Sequence, residues 1–135
     1  MKKKILVLDD DDAIAEAVQM MLELDGYEVV TSNEGDFVSR LNGDFPDVLL
    51  LDVWMSGHDG RLICQSLKAD PKTKHIHVIL LSATRDIKES AKKFGADDYL
   101  TKPFEMDELL GKVKKYATKS VENFCQHTAG AASSD

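Results

Sequence analysis

Five short runs of strand-forming residues divide this chain: Lys4 to Leu8, Glu28 to Ser32, Asp47 to Leu51, Val78 to Leu81 and Asp98 to Thr101. Between them, apolar residues recur at the three- and four-residue spacing of helices packed on a core. Ile14, Val18, Met21 and Leu22 form the first such stripe, ended by Gly26, and Phe37, Val38 and Leu41 the second, before Gly43. Leu62, Ile63 and Leu67 mark a third helix, and Ala91 and Phe94 a fourth, closed by Gly95. Leu109, Leu110, Val113 and Ala117 mark a fifth, beginning after Pro103. Strict alternation of strand and helix demands a parallel sheet with right-handed crossovers and helices on both faces. The expected fold is therefore a doubly wound α/β domain with five parallel strands, taken in the flavodoxin-like order 2-1-3-4-5.

Two of the apolar runs stop in aspartate. Ile5 to Leu8 meets Asp9 to Asp12, and Val48 to Leu51 meets Asp52. Runs of branched aliphatics read as strands buried on both faces, so these acids fall where the sheet gives way to water. In the assumed order, strands one and three are neighbours and their acids converge where doubly wound folds bind ligands. Crowded carboxylates repel unless a cation or shared proton intervenes, and a hard-metal site is the first hypothesis.

The remaining strand ends supply other groups. Strand four ends in Ser82, a hydroxyl donor, and strand five leads into Lys102 and Pro103. Parallel strands share their carboxyl edge, so three carboxylates, a hydroxyl and an ammonium fall together there. Oxygen ligands suit Mg²⁺, and hydroxyl and ammonium donors suit a phosphoryl group. Asp9, Asp10 and Asp52 bring three negative charges; Lys102 and a divalent ion balance them.

The rest of the chain narrows the function class. Its 135 residues fit one domain, and a net charge of −7 opposes a phosphate backbone, so direct nucleic-acid binding is not expected. No apolar stretch approaches membrane-spanning length, and four apolar residues after Lys2 to Lys4 are too few for a signal peptide; a cytoplasmic protein without membrane contact is expected. Cys64 and Cys125 are far apart, lie in no C-x-x-C pattern and read as free thiols.

Across about residues 3 to 117, the chain resembles the receiver domain of bacterial response regulators. The motifs that carry the resemblance are Asp9-Asp10, then Asp52-Val53-Trp54-Met55 through Asp59-Gly60, then Ser82-Ala83 and Lys102-Pro103-Phe104, in that order at successive strand ends. It implies a two-component phosphorelay switch, not an enzyme, that assists its own phosphorylation and dephosphorylation. Asp52 would accept a phosphoryl group from a phosphohistidine on a histidine kinase or phosphotransfer protein. Mg²⁺ would be held by Asp10, Asp52 and the Trp54 carbonyl, with Asp9 reaching it through water. Lys102 would pair with a phosphate oxygen. Ser82 would turn toward the phosphoryl group and Tyr99 would follow inward, remodelling the face of helix four, strand five and helix five for a downstream protein partner. A phosphorylation-dependent homodimer is compatible with such a switch. The receiver is expected over residues 1–118, with a tail over 119–135 that is helical at first and disordered from Thr128 to Asp135.

Other residues read more plainly. Asp11 and Asp12 open the first helix, with Asp12 the expected N-cap. His75 and His77 precede strand four, at the edge opposite the acids, and are expected in a solvated loop; His58 lies in a loop over the site. Receivers usually carry proline after the loop methionine, whereas this chain has Ser56 and Gly57, which loosens the loop. Trp54 is bulky for its position and is expected to shield an acyl phosphate. Two competing classes remain: an aspartate-nucleophile phosphatase built on Asp10 and Asp12, and a receiver fold kept as an interaction module. Ala13-Ile14 after Asp12 and the absence of a cap domain oppose the first; the intact Asp9, Asp10, Asp52, Ser82 and Lys102 oppose the second.

Overall fold

The computed structural model describes residues 2–34, 36–55 and 57–128. Five parallel strands form the sheet: β1 (Lys4–Leu8), β2 (Glu28–Ser32), β3 (Val48–Asp52), β6 (His77–Ser82) and β7 (Asp98–Thr101), in the order β2-β1-β3-β6-β7. A small antiparallel ribbon, β4 (Trp54–Met55) with β5 (His58–Asp59), follows β3. The helices are α1 (Asp12–Leu24), α2 (Gly60–Ala69), α3 (Ile87–Phe94) and α4 (Met106–Thr128). The expected doubly wound fold and strand order are both present.

Strand geometry explains the two-sided core. Successive side chains point to opposite faces. Ile5, Val7, Val48 and Leu50 therefore pack with Ala15, Val18 and Leu22 of α1 and with Leu109, Val113 and Ala117 of α4. Leu6, Leu8, Leu49 and Leu51 pack on the other face with Cys64 and Leu67 of α2 and with Ile87 and Ala91 of α3. Each fully buried leucine contributes about 2 kcal/mol through removal from water.

Three local expectations are corrected. The second helix is a single 3₁₀ turn, Phe37–Arg40. Asp36 makes no side-chain cap there, and Asn42 and Gly43 both turn to positive φ immediately after it, so there is no length in which a costly helical nucleus could propagate. The N-cap of α1 is Asp11, whose Oδ1 accepts the Ile14 N–H at 3.2 Å; Asp12 is the first helical residue. His77 is the first residue of β6 instead of a loop residue. Its ring lies 5.4 Å from that of Tyr116, and its Nδ1 is 3.4 Å from Asp97 Oδ1. His75 stays exposed, edge-on to Phe45. Within α2, Leu62 faces solvent while Cys64 and Leu67 turn inward.

The final helix begins beyond Pro103 and continues through Thr128, so helix occupies the start of the expected tail; residues 129–135, on which most of the disorder expectation falls, lie outside the described residues. Among the described residues, no helix is long and apolar enough to cross a membrane.

Asp97 ties the amino edge of the sheet together. Its Oδ2 accepts the Val78 N–H at 2.8 Å and Lys68 Nζ at 2.7 Å, joining β6 and α2 to the start of β7. Burial pushes its pKa up, but His77, Lys68 and the Val78 N–H outweigh burial and hold it down at about 2. A carboxylate whose folded pKa is depressed stabilises the fold above its ordinary value of 3.8, and the contribution is lost as pH falls from there to about 2. Asp97→Asn is therefore expected to cost about 1–2 kcal/mol at neutral pH. Denaturant melts should show the difference from the parent chain shrinking as pH drops below 4.

Candidate functional site

Register builds the site from the backbone. Leu8 pairs with Leu51, so the next residues, Asp9 and Asp52, emerge side by side at the carboxyl edge. Ser82 pairs with Thr101, which delivers Lys102 next to Ser82, and the Lys102 N–H donates to the Ser82 carbonyl at 2.8 Å. The Lys102–Pro103 peptide is cis. Four of the residues singled out from strand ends, Asp9, Asp52, Ser82 and Lys102, thus share one edge.

Lys102 Nζ lies 3.0 Å from Asp9 Oδ2 and 3.5 Å from Asp52 Oδ1. Both acids are buried, with side chains 0% and 10% exposed, and the Lys102 side chain is 18% exposed. One ammonium between two buried carboxylates leaves the pocket one charge short of neutral. The pKa of Asp52 shows the deficit: burial raises it first and the charge of Asp9 raises it further, against Lys102 and the Trp54 N–H, which lower it. Asp9 also organises the turn into α1, since its Oδ1 accepts the Asp11 N–H at 2.9 Å.

Asp10, which follows buried Asp9 in the chain, is exposed. Among the described residues, no group of three His, Cys, Asp or Glu side chains is arranged to hold a metal. The donor set nevertheless suits Mg²⁺: the oxygens are hard, the buried pair is under-neutralised, and this ion keeps several of its waters instead of requiring an all-protein cage.

The Ser82 side chain is buried, and its Oγ lies 2.9 Å from Thr84 Oγ1 and accepts the Thr84 N–H at 3.1 Å. Tyr99 is half-buried in β7 against the α2–α3 side of the core. Lys112 of α4 fixes it from outside, with Nζ donating to the Tyr99 carbonyl at 2.5 Å, pairing with Asp98 Oδ1 at 2.9 Å and standing 4.8 Å from the Tyr99 ring centroid.

The segment after Asp52 is held tightly at its far end. The Gly60 N–H donates to the Val53 carbonyl at 2.7 Å, and the Gly60 α-carbon abuts Asp52 so closely that an added Cβ would sit 2.3 Å from the Asp52 carbonyl oxygen. Asp59 caps α2 by accepting the Arg61 N–H at 2.9 Å. Gly57 has φ +77°, and Ser56, where receivers usually carry proline, lies outside the described residues. Trp54 is 56% exposed, with the Arg61 guanidinium 4.8 Å from its ring centroid. His58 is exposed and lines a groove of about 1060 Å³ between the 3₁₀ turn and α2, whose lining includes none of Asp9, Asp52, Ser82 and Lys102.

Comparison with known proteins identifies the family. The model of the response regulator receiver domain matches residues 5–114. The chain belongs to this family. It is 40% identical over 114 residues to the DNA-binding dual master transcriptional regulator RpaA of Synechocystis sp. (strain ATCC 27184 / PCC 6803 / Kazusa), covering 82% of this chain and 47% of the relative. It is 36% identical over 117 residues to the phosphate regulon transcriptional regulatory protein PhoB of Escherichia coli K12, covering 84% and 51%. The chain thus spans about half the length of these curated relatives. Among solved structures, the response regulator protein TrrA of Thermotoga maritima, in complex with Mg²⁺ and BeF, matches with a TM-score of 0.74 and 33% identity, covering 84% of this chain and 98% of that one. Chemotaxis response regulator CheY4 of Vibrio cholerae matches at 0.78 and 26% identity, covering 86% and 99%. This receiver is a regulatory domain of two-component systems by family.

Two features of the receiver had no signal in the sequence. Arg61 reaches Trp54 and Phe94, and Lys112 reaches Tyr99, through folding of distant segments that no local spacing records. Gly60, by contrast, was visible as part of Asp59-Gly60, without the reason for it. Gly60→Ala must move the Asp52 carbonyl, so it is expected to destabilise the domain by roughly 1–3 kcal/mol. A thermal melt tests this, and a midpoint equal to that of the parent chain would contradict the close approach.

Proposed function

We propose that this domain is a phosphoacceptor switch in which Asp52 takes a phosphoryl group from a phosphohistidine on a histidine kinase or phosphotransfer protein. The observation that carries the reading is the Lys102 ammonium set between buried Asp9 and Asp52, with the Asp52 pKa still raised. Such a carboxylate gains when an added cation accompanies an anionic phosphoryl group into the pocket. Asp10, Asp52 and the Trp54 carbonyl would hold Mg²⁺, with Asp9 reaching it through water, and the ion would supply neutralisation of charge on the transferring group.

The chain's own residues do the rest. An Asp52 carboxylate oxygen forms the new bond to phosphorus, and the bond from phosphorus to the imidazole nitrogen breaks, leaving its electron pair on the histidine. Lys102 exchanges part of its contact with Asp9 for a phosphate oxygen. Ser82 leaves Thr84 and donates its hydroxyl to the phosphoryl group, and Tyr99 moves inward. The ligand favours one of two conformers because Ser82 and Lys102 contact it better there. The face built from α3, β7 and α4 then presents a changed surface to a downstream protein or a second copy of the domain. Lys112, which holds the Tyr99 carbonyl, sits on that face. The receiver proper is taken as residues 1–118.

Trp54, the sole tryptophan, reports on the site. Its fluorescence is expected to respond to Mg²⁺ and then to acetyl phosphate, with Asp52→Asn abolishing the second response. Silence to both in the parent chain would refute the phosphoacceptor reading. Many phosphates released per chain from small esters would favour an aspartate-nucleophile phosphatase instead.

A further inference from the structure

Lys112 precedes buried Val113 on α4, and its own side chain is only 23% exposed. Three partners meet its ammonium. Nζ donates to the Tyr99 carbonyl at 2.5 Å, pairs with Asp98 Oδ1 at 2.9 Å and stands 4.8 Å from the Tyr99 ring centroid. The first two partners are fixed to the sheet. β7 pairs with β6 along its whole length, and the Asp98 carboxylate also accepts the Tyr99 N–H at 2.8 Å and the Tyr116 hydroxyl at 3.1 Å. Burial raises the Asp98 pKa, but Lys112, the Tyr99 N–H and Tyr116 outweigh burial and hold it below its ordinary value. Asp98 is therefore charged at neutral pH and keeps the ammonium in place whatever the ring does.

The ring differs from the other two partners in being able to turn. It is half-buried against the α2–α3 side of the core, and rotation about its side-chain torsions carries it off the ammonium while the carbonyl bond and the ion pair persist. Departure of the ring therefore forfeits the cation–π contact alone. The plainer account makes Lys112 a tie between α4 and β7 through Asp98. Such ion pairs contribute little, and a tie of that kind leaves the ring without a preferred orientation. We propose that Lys112 is a positioning residue for the switch, whose ammonium retains the Tyr99 ring in its resting orientation and so sets how much of the domain turns inward before any phosphoryl group arrives. This inference rests on the inward motion of Tyr99 and on Asp52 as the acceptor. Linkage carries the effect to Asp52, because a conformer populated only in part weakens uptake of its ligand by that same fraction. Lys112 touches none of the reacting atoms and acts through Tyr99.

Two measurements on the full chain test the clasp. With 3-fluorotyrosine incorporated and the Tyr99 line assigned by Tyr99→Phe, the solvent isotope shift of the fluorine reports exposure of the ring. Without any phosphoryl donor, Lys112→Met, which keeps the length of the side chain and loses its charge, is expected to raise the inward population roughly two- to fivefold, the range that one partly exposed cation–π contact supplies. Lys112→Arg should restore the parent value. An unchanged ring in Lys112→Met, with the fold verified by its melt, overturns the proposal, whatever Asp52 does. A shift as large in Asp98→Asn, which removes the ion pair and leaves the ammonium on the Tyr99 carbonyl, would show that the tie alone matters and overturn it too. With Mg²⁺ present, the acetyl phosphate concentration that half-loads Lys112→Met is expected to fall by the same two- to fivefold. Equal half-loading in Lys112→Met and the parent chain overturns the link from ring to acceptor. A chain whose ring shifts as expected but which takes up no phosphoryl group overturns the acceptor reading instead, while the fluorine result still decides the clasp.

Discussion

A single ammonium held between two buried carboxylates is the constraint around which this domain is arranged. Lys102 reaches Asp9 and Asp52 because three parallel strands deliver their ends to one edge, and that delivery needs the uninterrupted aliphatic runs of β1 and β3. Burial makes the carboxylates costly, and Lys102 offsets one of the two charges. The remainder persists as the raised pKa of Asp52. A group kept in that condition by a rigid sheet is predisposed to gain from an incoming cation and phosphoryl group.

The two edges of the sheet are built oppositely. At the amino edge, Asp97 has partners to excess, in Lys68, the Val78 N–H and the neighbouring His77, and its pKa is held far down. At the carboxyl edge, Asp52 is under-neutralised and its pKa is raised. One edge adds stability at neutral pH, while the other holds unrelieved repulsion. β7 and α4 join both, since Tyr116 donates to the Asp97 carbonyl and Lys112 holds Asp98 and Tyr99. The face proposed to move is therefore fastened firmly at one end and adjustable at the other.

Much of this was legible in the sequence, for definite reasons. Asp9, Asp52 and Ser82 each follow a run of aliphatics and Lys102 follows the short strand Asp98–Thr101, and parallel pairing leaves such residues only one edge to occupy. Strong signals also placed α3, where Gly95 closes the helix in a left-handed conformation. The second helix was misread because Phe37, Val38 and Leu41 carry helical spacing while Asn42 and Gly43, which stop it, act through backbone conformation. The N-cap moved by one residue because four consecutive aspartates offer equivalent side chains, and only the turn fixed by Asp9 selects Asp11. His77 was misread as solvated because its partners, Asp97 and Tyr116, come from β7 and α4. Arg61 was invisible for the same reason, as Phe94 reaches it only after α2 and α3 pack.

The central claim is that Asp52 is the residue modified and that the under-neutralised pocket drives its modification. Intact-mass measurement after treatment with acetyl phosphate, followed by peptide mapping of the trapped acyl phosphate, tests it most directly. One phosphoryl group per chain, located on Asp52, taken up with Mg²⁺ and lost when Mg²⁺ is chelated beforehand, is the predicted result. A phosphoryl group on another residue, or uptake indifferent to Mg²⁺, would contradict it.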